Sequence, residues 1–276
     1  MINIGKINTL KISKQNSSGI FLSDNSGKQV LLADKRPKKY ELEDSVEAFV
    51  FVDSDGHLAA FSHKPFALVD EIAYLKVVSV NYYGAFLDWG LSKDLLVPFS
   101  EQHHELEVGQ FYFFKLFLDD KNRIVATTKI AQFLADEIED GEFTVGQSVD
   151  LIIADETDLG IKAIVNGSHW GVLYKNEVFQ TLRKGQKISG FIKHIRDDLR
   201  LDLTLHQIGY NKVTSLTDTI LHILQDNGGE LAVGDKSEPE QIYALFSVSK
   251  KVFKQAIGAL YKEKKIAIEK TKIRLI

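Results

Sequence analysis

The chain has 276 residues, 44% hydrophobic and 26% charged, with a formal net charge of −4 and no cysteine. The absence of cysteine excludes disulfides, thiolate metal sites and a cysteine nucleophile, and the net charge argues against a strongly basic nucleic-acid binder. No apolar run approaches the roughly 20 residues of a membrane span, and the first residues lack the apolar core of a signal peptide. We therefore expect a cytoplasmic protein with no membrane partner.

Three stretches of the chain repeat one order of short strands and turns. The second copy is the clearest, with the strand-like run AYLKVVSV, the turn NYYGAFLDWG and the closing stretch DDKNRIVATT. Gly19, Gly84 and Gly160 open corresponding hairpins in the three copies. A repeat of roughly sixty to seventy-five residues with five strands is too long for a solenoid rung. It is typical of a small closed barrel of the oligonucleotide-binding (OB) kind.

Breaks in the strand pattern divide the chain. The segment His63–Asp70 separates the first two repeats, Lys129–Asp140 has the apolar spacing of a short linking helix, and His206–Val213 leads out of the third repeat. We predict a mainly β chain of three five-stranded OB barrels in tandem and an α+β C-terminal domain. Each is expected to have its own core, in an elongated monomer. The predicted bounds are 1–63, 64–140, 141–210 and 211–276.

The C-terminal block changes to helical spacing. A helix over LTDTILHILQDN stops at Gly228–Gly229, a second begins at Pro239, and Ser247 or Ser249 can cap a third. The alternating residues around Lys270–Lys272 then predict a terminal hairpin. Three helices followed by a hairpin are the order of a winged-helix domain. Such a domain either enters a groove of a nucleic acid or serves only for packing against protein.

The second repeat resembles the RNA-binding domain of the ribosomal protein S1 type in YYGAFLDWG, LLVPFSE, ELEVGQ and DDKNRIVATT. Three such repeats followed by a winged helix resemble the conserved virulence factor B family of bacterial RNA-binding regulators. The resemblance implies a post-transcriptional regulator that binds single-stranded RNA through its barrels, with help from the winged helix. DNA, bound through the winged helix, is the alternative nucleic-acid partner.

In repeat two the resemblance carries the RNA-binding positions onto matching residues. Tyr83 and Phe86 occupy the two aromatic positions, whose rings stack on bases. Asp119 and Arg123 occupy the acidic and basic positions of the last hairpin, whereas Pro98 replaces a frequent histidine. Arg123 is therefore the candidate cation of this repeat.

Repeats one and three depart from this pattern. In repeat one, Phe21 keeps an aromatic position, and Asp53 and His57 take the places of the acidic and basic residues. In repeat three, Leu159 and Lys162 replace both aromatic residues. Its candidate RNA contacts are Tyr174, Lys193, His194, Arg196 and Arg200. The aromatic residues Phe51 and Phe117 align with His194, and either RNA contact or barrel packing explains them.

The distribution of charge leaves three classes of function open. The second repeat is acidic and the C-terminal segment is basic, with Lys250, Lys251 and Lys254 near the start of the third helix. These lysines suit RNA or DNA phosphates, or they form a solvated surface. The acidic repeat also suits a protein-binding scaffold.

Motifs of catalysis are missing from the sequence. His103-His104-Glu105 begins like a zinc-protease motif, but the second histidine of that motif would fall at Val108. There is no phosphate-binding GxxxxGK[ST] loop and no GxSxG elbow. We predict a protein that is not an enzyme and needs neither a metal nor another cofactor.

Overall fold

The computed structural model describes residues 1–34, 40–53, 55–178, 180–205, 212–246 and 248–276. The chain divides into two compact units, Met1–Leu134 and Ala135–Ile276. Of the sequence predictions, the cap at Ser247 and most of the exit segment His206–Val213 lie outside the described residues. Within the described residues, no helix combines the length and the apolar content that crossing a membrane requires.

The first unit contains two five-stranded barrels of the same design. Strands β1 to β5 close barrel 1 in the order β1-β2-β3-β5-β4, and β6 to β10 form the nearly closed barrel 2 in the order β10-β9-β6-β7-β8. The bounds are β1 Ile7–Asn16, β2 Gly19–Ser23, β3 Gln29–Leu32, β4 Ser45–Val52, β5 Leu58–Phe61, β6 Ile72–Asn81, β7 Gly84–Asp88, β8 Leu95–Pro98, β9 Phe111–Leu118 and β10 Ile124–Thr127. The predicted barrel architecture is confirmed here.

One hydrophobic cluster joins barrel 2 to barrel 1, and the interior of barrel 1 forms a second cluster of its own. Phe49 and Phe61 of barrel 1 belong to the same buried cluster as the interior of barrel 2. The ring of Phe49 lies edge-on to Trp89, with 5.6 Å between the ring centroids. Between the barrels, Ala67 is fully buried and Phe66 donates a backbone hydrogen bond to Trp89. Barrel 1 therefore has a core of its own, as expected, but the two barrels also bury residues against each other, because the connection packs as part of their interface.

The second unit contains barrel 3 and the winged helix. Barrel 3 closes in the order β11-β12-β13-β15-β14, which repeats the order of barrel 1. Its bounds are β11 Ser148–Glu156, β12 Gly160–Val165, β13 His169–Tyr174, β14 Lys187–Ile195 and β15 Leu201–Thr204. The winged helix follows with α1 Lys212–Asp226, β16 Glu230–Leu231, α2 Pro239–Phe246, α3 Lys250–Lys262, β17 Ile266–Ile268 and β18 Ile273–Leu275. Both predicted architectures are confirmed.

The linking helix predicted over Lys129–Asp140 is wrong. Only Ile130–Phe133 forms a single 3-10 turn. In the second unit, Ala135 exchanges backbone hydrogen bonds with the edge of β13. Ile138 and Phe143 are buried in the core of barrel 3. The apolar residues of this segment therefore complete a barrel, and the free strand edge offers their backbone an alternative to a helix.

The predicted ends of the winged-helix elements are accurate where local chemistry sets them. Helix α2 begins at Pro239, and the Ser249 side chain caps α3 by accepting a hydrogen bond from the Val252 amide at 3.4 Å. Helix α1 begins at Lys212, earlier than the predicted LTDTILHILQDN, because no glycine or proline interrupts the preceding residues. The terminal hairpin forms as predicted, and β16 adds a third strand to it.

Candidate nucleic-acid interface

The hairpin between β6 and β7 presents two tyrosine rings to solvent. Asn81 accepts a hydrogen bond from the Tyr83 amide at 2.9 Å, and Gly84 follows at a φ of 146°. A Cβ on Gly84 would lie 2.1 Å from the Val97 carbonyl oxygen, so this close approach of β7 and β8 requires glycine. Tyr82 and Tyr83 are 79% and 59% exposed, with 4.0 Å between their ring centroids. The pKa of Tyr82 is raised, mainly by a hydrogen bond with Tyr83 and to a smaller extent by partial loss of solvent contact.

Phe86 is a further aromatic residue of the same hairpin, on β7. Its neighbours Ala85 and Leu87 are fully buried in the core, so Phe86 lies on the opposite, outer face of the strand, where it is half-buried. The cross-strand partner on β8 is Leu96. Phe51 differs, since it is half-buried against the hydrophobic cluster that joins barrels 1 and 2.

Arg123 is held by the turn that joins β9 and β10. The Asp119 carboxylate accepts hydrogen bonds from the backbone amides of Lys121 and Arg123. Two nitrogens of the Arg123 side chain also contact one oxygen of this carboxylate, Nε at 2.8 Å and a terminal nitrogen at 2.7 Å. Burial raises the pKa of Asp119, but the hydrogen bonds from Arg123 outweigh burial and lower it. The half-exposed guanidinium is therefore oriented by an acid in its own turn.

The same backbone hydrogen bond closes the last hairpin of every barrel. The amide donors and carbonyl acceptors are Asp53 and His57 in barrel 1, Asp119 and Arg123 in barrel 2, and Arg196 and Arg200 in barrel 3. The three pairs therefore occupy equivalent positions, as the sequence alignment of the repeats predicted.

A cavity of about 150 Å³ lies beside Arg123, between barrels 1 and 2. Its lining includes Phe51, Phe61, Trp89, Lys93, Asp94 and Arg123. The volume is below the roughly 300–1,000 Å³ of typical small-molecule sites, and the charged residues that line it have both signs. We assign no ligand to it.

In barrel 3, two predicted RNA contacts lie beside an acid that the prediction missed, and a third lies beside one of the two. Asp202 is 9% exposed and accepts a hydrogen bond from the Tyr174 hydroxyl at 3.0 Å, which raises the pKa of Tyr174. His194 Nδ1 lies 3.8 Å from the other Asp202 oxygen. Lys193 Nζ lies 5.5 Å from the Tyr174 ring centroid and 2.5 Å from Glu177. The sequence feature that could have identified Asp202 is its place between two leucines of a predicted strand, where a single acid stands out.

The remaining predicted cations are partly neutralised by neighbouring acids. A terminal nitrogen of Arg196 and Nε of Arg200 lie 3.0 and 3.9 Å from the same oxygen of Asp198. Lys254 Nζ lies 2.8 Å from Asp235, and this hydrogen bond lowers the pKa of Asp235. Lys250 and Lys251 lie on the first turn of α3, where Lys251 is exposed. The basic character of this half of the chain is therefore weaker than its sequence indicates.

The adjacent histidines singled out in the sequence are exposed on a loop. The ring centroids of His103 and His104 are 6.2 Å apart. Across the part of the chain that the structure describes, no group of three or more His, Asp or Glu side chains is arranged to hold a metal ion.

Comparison with known proteins places these elements in a family. An S1 domain model matches residues 4–61 and 71–129, and a CvfB-like winged helix domain model matches residues 218–275. The uncharacterized protein YitL of Bacillus subtilis (strain 168) is 28% identical over 272 residues, covering 94% of this chain and 89% of the relative. Conserved virulence factor B of Staphylococcus epidermidis (strain ATCC 12228 / FDA PCI 1200) is 25% identical over 286 residues, covering 99% and 94%.

A solved structure covers a similar share of the chain. It is a multidomain protein with nucleic acid binding domains from Streptococcus pneumoniae TIGR4, at 24% identity and a TM-score of 0.40, covering 99% of this chain and 98% of that one.

The family matches coincide with the observed domains. The two S1 matches span barrels 1 and 2, and the winged-helix match spans the region from α1 to β18. S1 domains and a winged helix together indicate nucleic-acid binding. With these domains, and with relatives of that name along nearly its whole length, the chain belongs to the conserved virulence factor B family.

Proposed function

We propose that the protein binds single-stranded RNA through its barrels and acts as a bacterial post-transcriptional regulator of gene expression. The observation that carries this proposal is the exposed pair Tyr82 and Tyr83, which shares the β6–β7 hairpin with Phe86. Aromatic rings on the outer face of an S1 domain add nothing to its core. They provide stacking surfaces for bases, and such stacking tolerates many sequences.

Single-stranded RNA fits this surface better than duplex DNA does. In a single strand the bases are unstacked and present their faces to aromatic side chains. Duplex binding without base readout depends on phosphate contacts, whereas Arg123 and Lys254 are already paired with Asp119 and Asp235. Stacking is therefore the main source of affinity in this proposal, and the winged helix adds phosphate contacts through Lys250 and Lys251. The proposal assigns the protein binding and no catalysis.

The direct test compares two nucleic acids of one sequence. Fluorescence anisotropy at a stated salt concentration would measure Kd for a labelled RNA strand of about 16 nucleotides, since OB folds cover roughly 4–16, and for the same sequence as duplex DNA. We expect the RNA strand to bind more tightly. Tighter binding of the duplex would favour a DNA-binding regulator acting through α3. Binding of neither nucleic acid would favour a protein scaffold.

Replacing Asp198 by asparagine is expected to strengthen RNA binding. The Asp198 carboxylate neutralises Arg196 and Arg200, so its removal frees two guanidinium groups for phosphate contacts. The slope of log K against log salt is negative, and each new phosphate contact on a single strand makes it steeper by roughly 0.7. Kd measured at several salt concentrations reports both changes. Asp197→Asn is the matched control for net charge, and equal slopes for the two variants would contradict the prediction.

A further inference from the structure

Trp170 lies on the outer face of barrel 3 and is not among the residues that the sequence predicts to contact RNA. On β13, Trp170, Val172 and Tyr174 are half-buried, whereas His169, Gly171 and Leu173 between them are buried. Trp170 and Tyr174 therefore lie on one side of one strand. Four residues along a strand span roughly 13 Å, so the two rings would contact different nucleotides of one bound strand.

Lys162 lies directly over the Trp170 ring. Its Nζ is 3.9 Å from the ring centroid, within the roughly 6 Å limit of a cation–π contact. Strand register pairs Lys162 with Val172 on β13, which places the lysine beside the tryptophan on the outer face. The carboxylate of Asp136 lies 3.9 Å from the same Nζ, which is a long ion pair, and Asp136 is itself largely exposed. The lysine therefore covers the ring without a tight ion pair to hold it.

The same register relates this pair to the aromatic face of barrel 2. Gly84 pairs with Pro98 and Phe86 with Leu96 in barrel 2. In barrel 3, Gly160 pairs with Tyr174, and Lys162 pairs with Val172. Lys162 therefore occupies in barrel 3 the position that Phe86 occupies in barrel 2. Barrel 3 has no ring at this position, but Trp170 on the neighbouring strand lies beside it.

A tryptophan beneath a lysine offers a nucleotide two partners, a ring for the base and a cation for the phosphate. The indole is the largest aromatic surface among the side chains, and its stacking on a base requires only that the ammonium move aside. The displaced ammonium stays on its flexible stem within reach of the backbone of the strand that stacks there. Contact with a phosphate would then compensate the lost cation–π contact, because the charge keeps a partner.

We propose that Trp170 and Lys162 form a nucleotide-binding subsite on barrel 3. The indole stacks on a base of single-stranded RNA, and the lysine contacts the adjacent phosphate. This inference rests on the proposed function and extends it to a barrel that has lost the aromatic residues of the S1 pattern. Tyr174 on the same strand face receives a second base.

The first test measures Kd for a uridine-rich RNA strand by anisotropy. Trp170→Ala is expected to raise Kd by about 5- to 150-fold, the range for loss of one stacking partner. Trp170→Phe retains a ring and should raise Kd less. Lys162→Gln should flatten the salt dependence by roughly 0.7 on a log–log scale. A folded Trp170→Ala variant with unchanged Kd would overturn the inference and leave RNA binding by the other barrels intact.

The second test uses tryptophan emission and keeps the Trp170 ring in the variant that reports on the subsite, with thermal melting to show that each variant is folded. The chain has two tryptophans, and Trp89 is 6% exposed, with its Nε1 donating to the Lys93 carbonyl at 2.7 Å. In Trp89→Phe, emission comes from Trp170 alone, and in Trp170→Phe from Trp89 alone. We expect RNA to quench the first variant with the Kd seen by anisotropy, and to leave the second nearly unchanged. Bound RNA without quenching of Trp170 would overturn the subsite, whereas no RNA binding by the unmodified chain would overturn the proposed function itself.

Discussion

Replacing Tyr83 and Phe86 by alanine is expected to weaken single-stranded RNA binding by roughly 1–3 kcal/mol for each ring. The dependence on salt should hardly change, because stacking involves no phosphate charge. Anisotropy with the single and double variants at several salt concentrations measures both quantities. Tyr83 is the cleaner of the two positions, since its side chain is exposed and its truncation leaves the core intact.

The matched control for this experiment is another exposed ring of barrel 2. Phe111 lies on β9, is 47% exposed, and is not part of the β6–β7 hairpin. Phe111→Ala should leave the RNA affinity near that of the unmodified chain. Thermal melting shows whether each variant is folded. Unchanged affinity in folded Tyr83 and Phe86 variants would remove both residues from the interface.

Replacing Phe253 by alanine is expected to destabilise the winged helix by roughly 3–5 kcal/mol, the cost of truncating a buried phenylalanine. The Phe253 ring is fully buried and stacks on Phe246, with 5.2 Å between the ring centroids. Their cluster draws its residues from α1, α2, α3 and the terminal hairpin, and among the residues that the structure describes it includes none from barrel 3. Since small domains are stable by only about 5–15 kcal/mol, a large share of this domain's stability should be lost.

Circular dichroism can follow this domain separately. In the described part of the chain, the α-helices lie between Lys212 and Lys262. Helical signal at 222 nm therefore reports the winged helix, and it should melt earlier in Phe253→Ala. Gln255→Ala, an exposed change on the same helix, should melt like the unmodified chain. RNA affinity that stays unchanged when the helices have melted would contradict the assisting role proposed for the winged helix.

The elements that the sequence determined by itself are those set by local chemistry. The turn between Asp119 and Arg123 is determined by neighbours within a few residues, and the repeated glycines mark corresponding hairpins in the sequence, so the repeats could be aligned correctly. Pro239 and Ser249 mark helix starts for the same reason. Tyr83 is predictable as an exposed ring because it lies in the tip of a short hairpin.

The tertiary structure decided what depends on partners far apart in the chain. The segment around Ile138 has the apolar spacing of a helix, yet it forms none, because the edge of β13 and the core of barrel 3 are available to it. In the connection between barrels 1 and 2, Ala67 is fully buried, because the two barrels close over it.

The candidate site depends on the fold in the same way. Lys254 is neutralised by Asp235, and Trp170 is covered by Lys162 from another strand. Asp202 is a partner of Tyr174 only because the barrel brings β13 beside β15. A sequence specifies which charges and rings exist and which turns they occupy. Which of them meet is decided by strand register and barrel closure, because side-chain contacts extend over only a few ångströms.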